Sequence, residues 1–318
     1  MSSPVPPPDG AEVAPAGAVA PPGAVDPPGA VVPADAQPVL PEDLPVGPVR
    51  RHRVAVRGGT LAVAEVGEAT APAWVLAHGV GSSARFVAAA FAEAVVPTGC
   101  RLVVYDLRGH GGSVTAPEVA DHHLDVHVAD LAAVVRGVAR RHAPAVVGGI
   151  SLGGHAAVRL AASGTVVPGA VLACLPAWTG TAAPGEGPHA AVAAQVAAIG
   201  IGGILAQLRE DVGLAGWLRR TLVTDYARHE PASLEAALRA LDGGDAPTPT
   251  ELARLMVPLA VVAWPDDPGH PLAVAERWVA LAPRAALVTV TIGGLEAGVG
   301  RLGDAAVTAV TGRWTASR

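Results

Sequence analysis

GGISLGGHAA, residues 148–157, follows the apolar run AVV and precedes a stretch with helical spacing. Within it, residues 149–153 match the pattern G-x-S-x-G, in which the glycines permit a strand-to-helix turn too tight for flanking side chains. Such a turn exposes the serine hydroxyl at a helix N-terminus, where partial positive charge favours a developing anion. The stretch therefore predicts a nucleophile elbow, with Gly149 and Gly153 in the turn and Ser151 as the nucleophile. The alternative is a glycine-rich turn whose serine only caps the helix.

Strands and helices alternate on both sides of the elbow. Short apolar runs such as AWVLA, RLVVY, LAVVA and ALVTV alternate with the helical patterns LAAVVRGVA and LAVAERWVAL. This order predicts an α/β fold with a doubly wound, mostly parallel sheet, preceded by a β-hairpin around Gly58-Gly59. Between residues 178 and 257 the alternation stops, and the sequence there predicts several helices carried above the sheet as a lid.

The composition divides the chain into three regions. Residues 1–48 are rich in Pro, Ala and Gly and have no hydrophobic period, so we expect a disordered arm whose deletion leaves the fold intact. Residues 49–177 and 258–318 form the predicted α/β core. Residues 178–257 form the predicted lid insertion.

The charge distribution limits the partners of this chain. All 22 basic residues are arginine, and hydrophobic residues make up 51% of the chain. Residues 1–48 contain six of the 28 acidic residues and no arginine, so acids and arginines are equal in number over the rest. This neutral body predicts no binding of nucleic acid. The two cysteines adjoin apolar runs and are expected to be reduced, buried thiols, and no feature of the sequence fixes the oligomeric state.

One segment resembles a membrane span in length. Residues 189–208 carry no formal charge, but their alanines are only weakly lipophilic, and a glycine cluster interrupts them. We therefore expect a pair of helices broken near Gly200 and no membrane partner. The N-terminus has no basic segment followed by a compact apolar one, so the sequence predicts no signal peptide and a cytoplasmic protein.

Four motifs in sequence order resemble those of the α/β-hydrolase family, from about residue 50 to the C-terminus. They are LAHGVGSS at 76–83, VVYDLRGHGGS at 103–113, GGISLGG at 148–154 and WPDDPGHP at 264–271. In the last motif, Trp264 stands where the family has glycine. The resemblance implies the α/β-hydrolase fold, an elbow serine and a hydrolase without a cofactor or a metal ion.

The resemblance also implies roles for particular residues. Ser151 would be the nucleophile, and the backbone N–H groups of Val80 and Leu152 would form the oxyanion hole. Two such donors each contribute several kcal/mol to stabilising a developing oxyanion, about 2.7–4 by mutagenesis elsewhere. Asp267 would be the acid, because Pro271 follows it at the family spacing, whereas Asp266 is the neighbour that could be mistaken for it.

The histidine of the family pattern is missing from its usual place. That histidine follows the last strand, but here GGLEAGVG occupies the region, and no histidine occurs after His270. Without an imidazole, a serine hydroxyl is a poor nucleophile at neutral pH. His270, on the same loop as Asp267, is the favoured substitute, and His155 and Glu296 are the alternatives. The short Asp267–His270 separation predicts that Asp266 or Glu296 orients the ring in place of Asp267.

Two functions follow from these residues. The first is a serine hydrolase that cleaves an ester, amide or related acyl bond of a small apolar substrate, because the lid sequence is rich in apolar residues, Trp217 among them. The second is a catalytically impaired protein that keeps the fold for binding or scaffolding, because the late histidine is absent.

A further cluster raises the question of a metal site. His123, His127 and Asp130 have the i, i+4, i+7 spacing that places ligands on one face of a helix. No H-E-x-x-H pattern accompanies them, so we expect a solvated polar face and no metal ion.

Overall fold

The computed structural model describes residues 31–32, 40, 43–138, 143–177, 188–243 and 245–312. Its strands are β1 (Val31–Val32), β2 (Asp43–Leu44), β3 (Gly47–Val56), β4 (Gly59–Val66), β5 (Ala73–Ala77), β6 (Arg101–Tyr105), β7 (Val146–Ile150), β8 (Ala170–Cys174), β9 (Leu259–Ala263) and β10 (Ala285–Thr289). Its α-helices are α1 (Ala84–Val95), α2 (Leu124–Val138), α3 (Leu152–Ala162), α4 (Pro188–Glu210), α5 (Gly216–Tyr226), α6 (Pro231–Leu241), α7 (Pro249–Ala253), α8 (Leu272–Leu281) and α9 (Arg301–Thr311).

The strands form one sheet in the order β1-β3-β4-β6-β5-β7-β8-β9-β10, with β2 paired to β3. From β6 to β10 every neighbouring pair in this order is parallel, whereas β3 and β4 form an antiparallel hairpin with Val56 opposite Gly59. The predicted α/β fold with a doubly wound, mostly parallel sheet and an N-terminal hairpin is therefore confirmed. The carboxyl ends of the parallel strands meet at one edge, which is where ligands bind in open sheets of this kind.

Helices cover both faces of the sheet. The five residues of each of β5, β6, β7, β8 and β9 are all buried, as expected for parallel strands packed on both sides. On one face, Leu131 of α2, Leu160 of α3 and Trp278 of α8 lie in the same buried cluster. On the other, Phe91 of α1 packs in a cluster with Leu302 of α9. This double layer holds the strand ends, and hence the elbow, in a fixed position.

The N-terminal region packs more than its composition predicted. The short strands β1 and β2 both pair antiparallel with β3. Leu40 is only 2% exposed and lies in the α1–α9 core, and Arg51 Nη2 donates to its carbonyl oxygen at 2.9 Å. The expectation of an arm without packed residues is therefore wrong for these positions, because a single leucine can bury its side chain without any hydrophobic period. The rest of residues 1–42 lies outside the described residues.

The predicted helical insertion is present as α4, α5 and α6, whereas its predicted first part, residues 178–187, lies outside the described residues. Gly200, with φ 62° and ψ 177°, breaks α4 in the middle, as its sequence predicted. By length and mean hydropathy (1.8), His189–Glu210 is a candidate membrane span. The break leaves two halves of roughly half that length each, and a hydrocarbon core of about 30 Å needs about 20 residues of continuous helix. Ala193 and Val196 of the first half and Ile204 of the second pack against α6.

Candidate active site

The elbow serine lies between β7 and α3 in a backbone conformation that few residues adopt. Ser151 has φ 50° and ψ −118°, so its side chain stands out from the turn. A Cβ atom at Gly149 would lie 2.3 Å from the carbonyl oxygen of Ala77, and one at Gly153 would lie 2.5 Å from the same atom. Both positions therefore require glycine, as the sequence pattern predicted, since neighbouring backbone fills the space.

Three side chains meet at the elbow. His270 Nε2 lies 3.2 Å from Ser151 Oγ, and His270 Nδ1 lies 2.7 Å from Asp267 Oδ2. The expectation that Asp267 is too close in sequence to orient this ring is therefore wrong. Asp267 Oδ1 accepts a hydrogen bond from Gly269 N at 2.8 Å, which closes a tight Asx turn and brings the ring back over Oδ2.

The electrostatics of this group suit proton transfer. Burial raises the pKa of Asp267, but the hydrogen bond and charge of His270 and the amides of Gly269 and His270 outweigh it, so the pKa lies below its ordinary value. An ionised carboxylate only accepts hydrogen bonds, so it places the proton of the ring on Nδ1. The lone pair of Nε2 then faces the Ser151 hydroxyl, which is the arrangement of a general base.

Asp266 and Glu296 have other partners. Both carboxylate oxygens of Asp266 lie within 3.0 Å of Ile292 N, just before a 3₁₀ helix at Gly293–Ala297. Glu296 Oε2 accepts from Trp217 N at 3.2 Å, and Trp217 Nε1 donates to Ile292 O at 2.9 Å. The segment that follows the last strand therefore binds helix α5 of the insertion. The expectation that Asp266 or Glu296 orients His270 is wrong within the described part of the chain.

The two predicted oxyanion donors belong to segments next to Ser151. Leu152 is the first residue of α3, so its N–H has no acceptor within the helix. Val80 belongs to the stretch His78–Ala84, here called the HG loop. A Cβ atom at Gly79 would lie 3.1 Å from Ser151 Cβ, so the HG loop passes directly beside the serine.

Two buried histidines join the HG loop to the core: His78, the first residue of the loop, and His110, which follows β6. His78 Nδ1 lies 2.7 Å from Gly79 O, and its Nε2 accepts from Leu107 N at 2.9 Å. His110 Nε2 accepts from Gly81 N at 3.1 Å. Burial lowers the pKa of His78 to about 4, and it also lowers the pKa of His110. Both rings are therefore neutral near pH 7, as acceptors of backbone N–H groups must be.

His155, the alternative base, points away from the serine. Its Nε2 accepts from Ala177 N at 3.2 Å, and its ring packs against Trp278 with centroids 5.2 Å apart. Burial lowers its pKa to about 3. These contacts occupy His155 in the core and not at the elbow.

The His123–Asp130 cluster is not a shared helical face. His123 precedes α2 and is exposed, whereas His127 and Asp130 are buried, so the expected solvated polar face is wrong for these two. Asp130 accepts from Arg108 Nε and Nη2 at 2.7 and 2.8 Å. Among the described residues, no group of three His, Cys, Asp or Glu side chains is arranged to hold a metal ion.

A serine on a strand–turn–helix elbow at the carboxyl edge of a mostly parallel sheet, with a helical insertion after β8, defines the α/β-hydrolase class. The chain belongs to the alpha/beta hydrolase family, whose sequence profile matches residues 74–299. No curated protein sequence matches the chain significantly.

Solved structures share this fold at low sequence identity. A bromoperoxidase from Bacillus anthracis superposes with a TM-score of 0.65 at 18% identity, over 82% of this chain and 99% of that one. An enol-lactonase from Burkholderia xenovorans gives 0.62 at 21% identity, over 77% and 94%. A thermophilic esterase from Thermogutta terrifontis gives 0.60 at 22% identity, over 79% and 93%. These similarities establish the fold, and the chemistry must be argued from the site itself.

Proposed function

We propose that this hydrolase-family protein is a serine hydrolase that needs no cofactor and cleaves an ester, amide or related acyl bond. The observation that carries the proposal is the chain of contacts from Ser151 Oγ through His270 to Asp267, at 3.2 and 2.7 Å. The sequence lacks the late histidine of the family pattern, and this contact supplies an imidazole from the acid loop instead. Distances of this size match a nucleophile, its base and the group that orients the base.

The reaction follows from these positions. Ser151 Oγ attacks the acyl carbon while His270 Nε2 takes the hydroxyl proton, and the N–H groups of Val80 and Leu152 stabilise the oxyanion. The protonated ring donates its proton to the leaving group as the acyl–oxygen or acyl–nitrogen bond breaks, which leaves an ester on Ser151. Water then attacks that ester with His270 again as the base, and the acid product and the free serine are released. Asp267 stabilises the imidazolium in both halves.

An apolar acyl group suits the surroundings of Val80. The Val80 side chain packs against an apolar cluster of the insertion that includes Val196 of α4 and Leu234 of α6. The insertion would therefore serve as a lid that offers a nonpolar surface beside the oxyanion donors, which favours a small apolar substrate over a charged one.

A fluorophosphonate probe tests the serine directly. We expect the wild-type protein to be labelled at one site, Ser151→Ala to lose the label, and His270→Ala to slow labelling by orders of magnitude. Ser163→Ala is the matched control, because Ser163 follows α3 and its hydroxyl bonds nearby groups, Leu160 O and Thr165 Oγ1 among them. Absence of labelling in the wild type would overturn the proposal in favour of a binding or scaffold protein.

A further inference from the structure

A carboxylate of the insertion contacts the HG loop. Asp225, near the end of α5, is only 2% exposed. Its Oδ1 accepts from Ser83 Oγ at 2.6 Å, and its Oδ2 accepts from Ser82 Oγ at 3.3 Å. The residues are more than 140 positions apart, so this is a tertiary contact between the insertion and the core.

The two serines shape the turn that presents Val80. Ser82 N donates to Gly79 O at 3.1 Å and so closes the turn around Val80. Ser83 is the N-cap of α1, and its Oγ also accepts from Phe86 N at 3.3 Å. The hydroxyl bonds to Asp225 therefore reach both the turn and the helix that follows it.

The neighbour of Asp225 reinforces this contact. A Cβ atom at Gly81, where φ is 75°, would lie 3.0 Å from the ring of Tyr226. The HG loop thus bonds Leu107 and His110 on the core side and contacts Asp225 and Tyr226 on the insertion side. Without the residues of α5, the HG loop would lose its hydrogen bonds to the insertion and keep the core-side hydrogen bonds and the apolar contact of the Val80 side chain with α4 and α6.

Burial of this carboxylate is unfavourable in itself. Burial raises the pKa of Asp225 to about 6, although the bonds from Ser83 and Ser82 and the charge of Arg228 lower it. An apolar side chain would fill the same space without this desolvation. The carboxylate thus accepts two hydroxyl bonds that an apolar residue could not form.

We propose that Asp225 is a positioning residue, through which the insertion holds the HG loop so that the Val80 N–H faces the oxyanion. This inference rests on the serine hydrolase function proposed above. Asp225 touches no reacting atom in this role, and it acts through Ser82 and Ser83. Its loss leaves the triad in place and misplaces one of two oxyanion donors.

Kinetics of a p-nitrophenyl ester test the role. Complete loss of one oxyanion donor lowers kcat by about 10²–10³, so we expect Asp225→Ala to lower kcat by about 10- to 100-fold with KM nearly unchanged. Asp225→Asn keeps an oxygen for Ser83 and should lose less. Thr224→Ala is the matched control, because Thr224 is exposed and, within the described part of the chain, its Oγ bonds only Arg220 O of its own helix. The double variant Asp225→Ala, Ser83→Ala should have a kcat only slightly lower than that of either single variant, because both changes remove the same contact.

Hydrogen exchange separates this role from general stability and from the hydrolase proposal. Asp225→Ala should speed amide exchange in residues 79–83 and leave β8 unchanged, whereas simple destabilisation would speed both. If Asp225→Ala does not fold, Asp225→Asn and Ser82→Ala give the same two readouts. Unchanged kcat and unchanged exchange in the HG loop would overturn the inference. A wild type without Ser151-dependent turnover would refute the hydrolase proposal, and exchange alone would then decide whether Asp225 orders the loop.

Discussion

The adjacent carboxylates Asp266 and Asp267 should give opposite results when each is changed to asparagine. In Asp267→Asn, the amide oxygen can keep the 2.8 Å bond from Gly269 N only if the amide NH₂ group faces His270 Nδ1. The ring must then accept at Nδ1 and carry its proton on Nε2, where it cannot act as a base toward Ser151. The flipped amide restores the useful tautomer but leaves the Gly269 N–H without its acceptor, at a cost of about 1–3 kcal/mol.

This preference alone lowers the population of the tautomer that can act as a base by about 5- to 150-fold, since 1.4 kcal/mol is about a factor of ten. Loss of the carboxylate charge beside the imidazolium adds to it, and an equivalent change in a serine protease costs about 10⁴ in kcat. We therefore expect Asp267→Asn to lower kcat by about 10²–10⁴ with little change in KM.

The assay is steady-state hydrolysis of a p-nitrophenyl ester, with the folded fraction of each variant measured by circular dichroism. Asp266→Asn is the control, because Asp266 bonds Ile292 N and not the ring. It should keep kcat within about threefold and lose less than about 1.5 kcal/mol of stability, because its amide oxygen can still accept from Ile292 N and only the charge assistance is lost. Equal losses in the two variants, or an Asp267→Asn enzyme with wild-type kcat, would refute the assignment of Asp267.

Three further predictions concern the fold. Gly149→Ala should abolish folding, because its Cβ would lie 2.3 Å from Ala77 O. Gly202 of α4 faces open space, so Gly202→Ala should keep or raise the Tm. A folded Gly149→Ala protein would contradict the elbow geometry. Leu40→Ala should lower the unfolding free energy in urea by about 2–5 kcal/mol. Deletion of residues 1–30 should leave the Tm unchanged. Equal Tm values for the wild type, Leu40→Ala and the deletion variant would argue against packing of Leu40. Since burial lowers the pKa of His78 to about 4, the contribution of this group to stability should be full above pH 6.5 and fall by about 3 kcal/mol as the pH drops toward 4. Urea unfolding at pH 8, 6 and 4.5 measures the fall, and a His78 ring that titrates near pH 6.5 in NMR spectra of the native protein would contradict it.

The strands and the elbow were predictable because each has a local cause. Five-residue apolar runs between helical patterns indicate buried parallel strands, and the glycines around Ser151 indicate a turn that only glycine permits. The break at Gly200 was also visible in the sequence. In all these cases the residues that decide the structure are neighbours in the chain.

The errors concern contacts that chain spacing does not reveal. The orientation of His270 by Asp267 depends on the Asx turn at Gly269, and sequence separation alone suggested that the ring could not turn back. Leu40 lies in a proline-rich segment without hydrophobic periodicity, so the sequence pattern did not predict its burial. The contact of Asp225 with Ser82 and Ser83 joins distant segments, and no local pattern marks it.

The placement of His270 and Asp267 on one loop also affects how the site assembles during folding. Their contact spans three residues, whereas the contact of His270 with Ser151 spans 119. The entropy cost of closing a loop grows with its length, so the contact between base and acid costs less chain entropy to close than the contact between base and nucleophile. Only one long-range encounter, between the Asp267–His270 loop and the elbow, then remains to complete the three-residue group. A base carried beyond β10 would require two such encounters, whereas in this chain all three residues of the proton-transfer group precede the last strand.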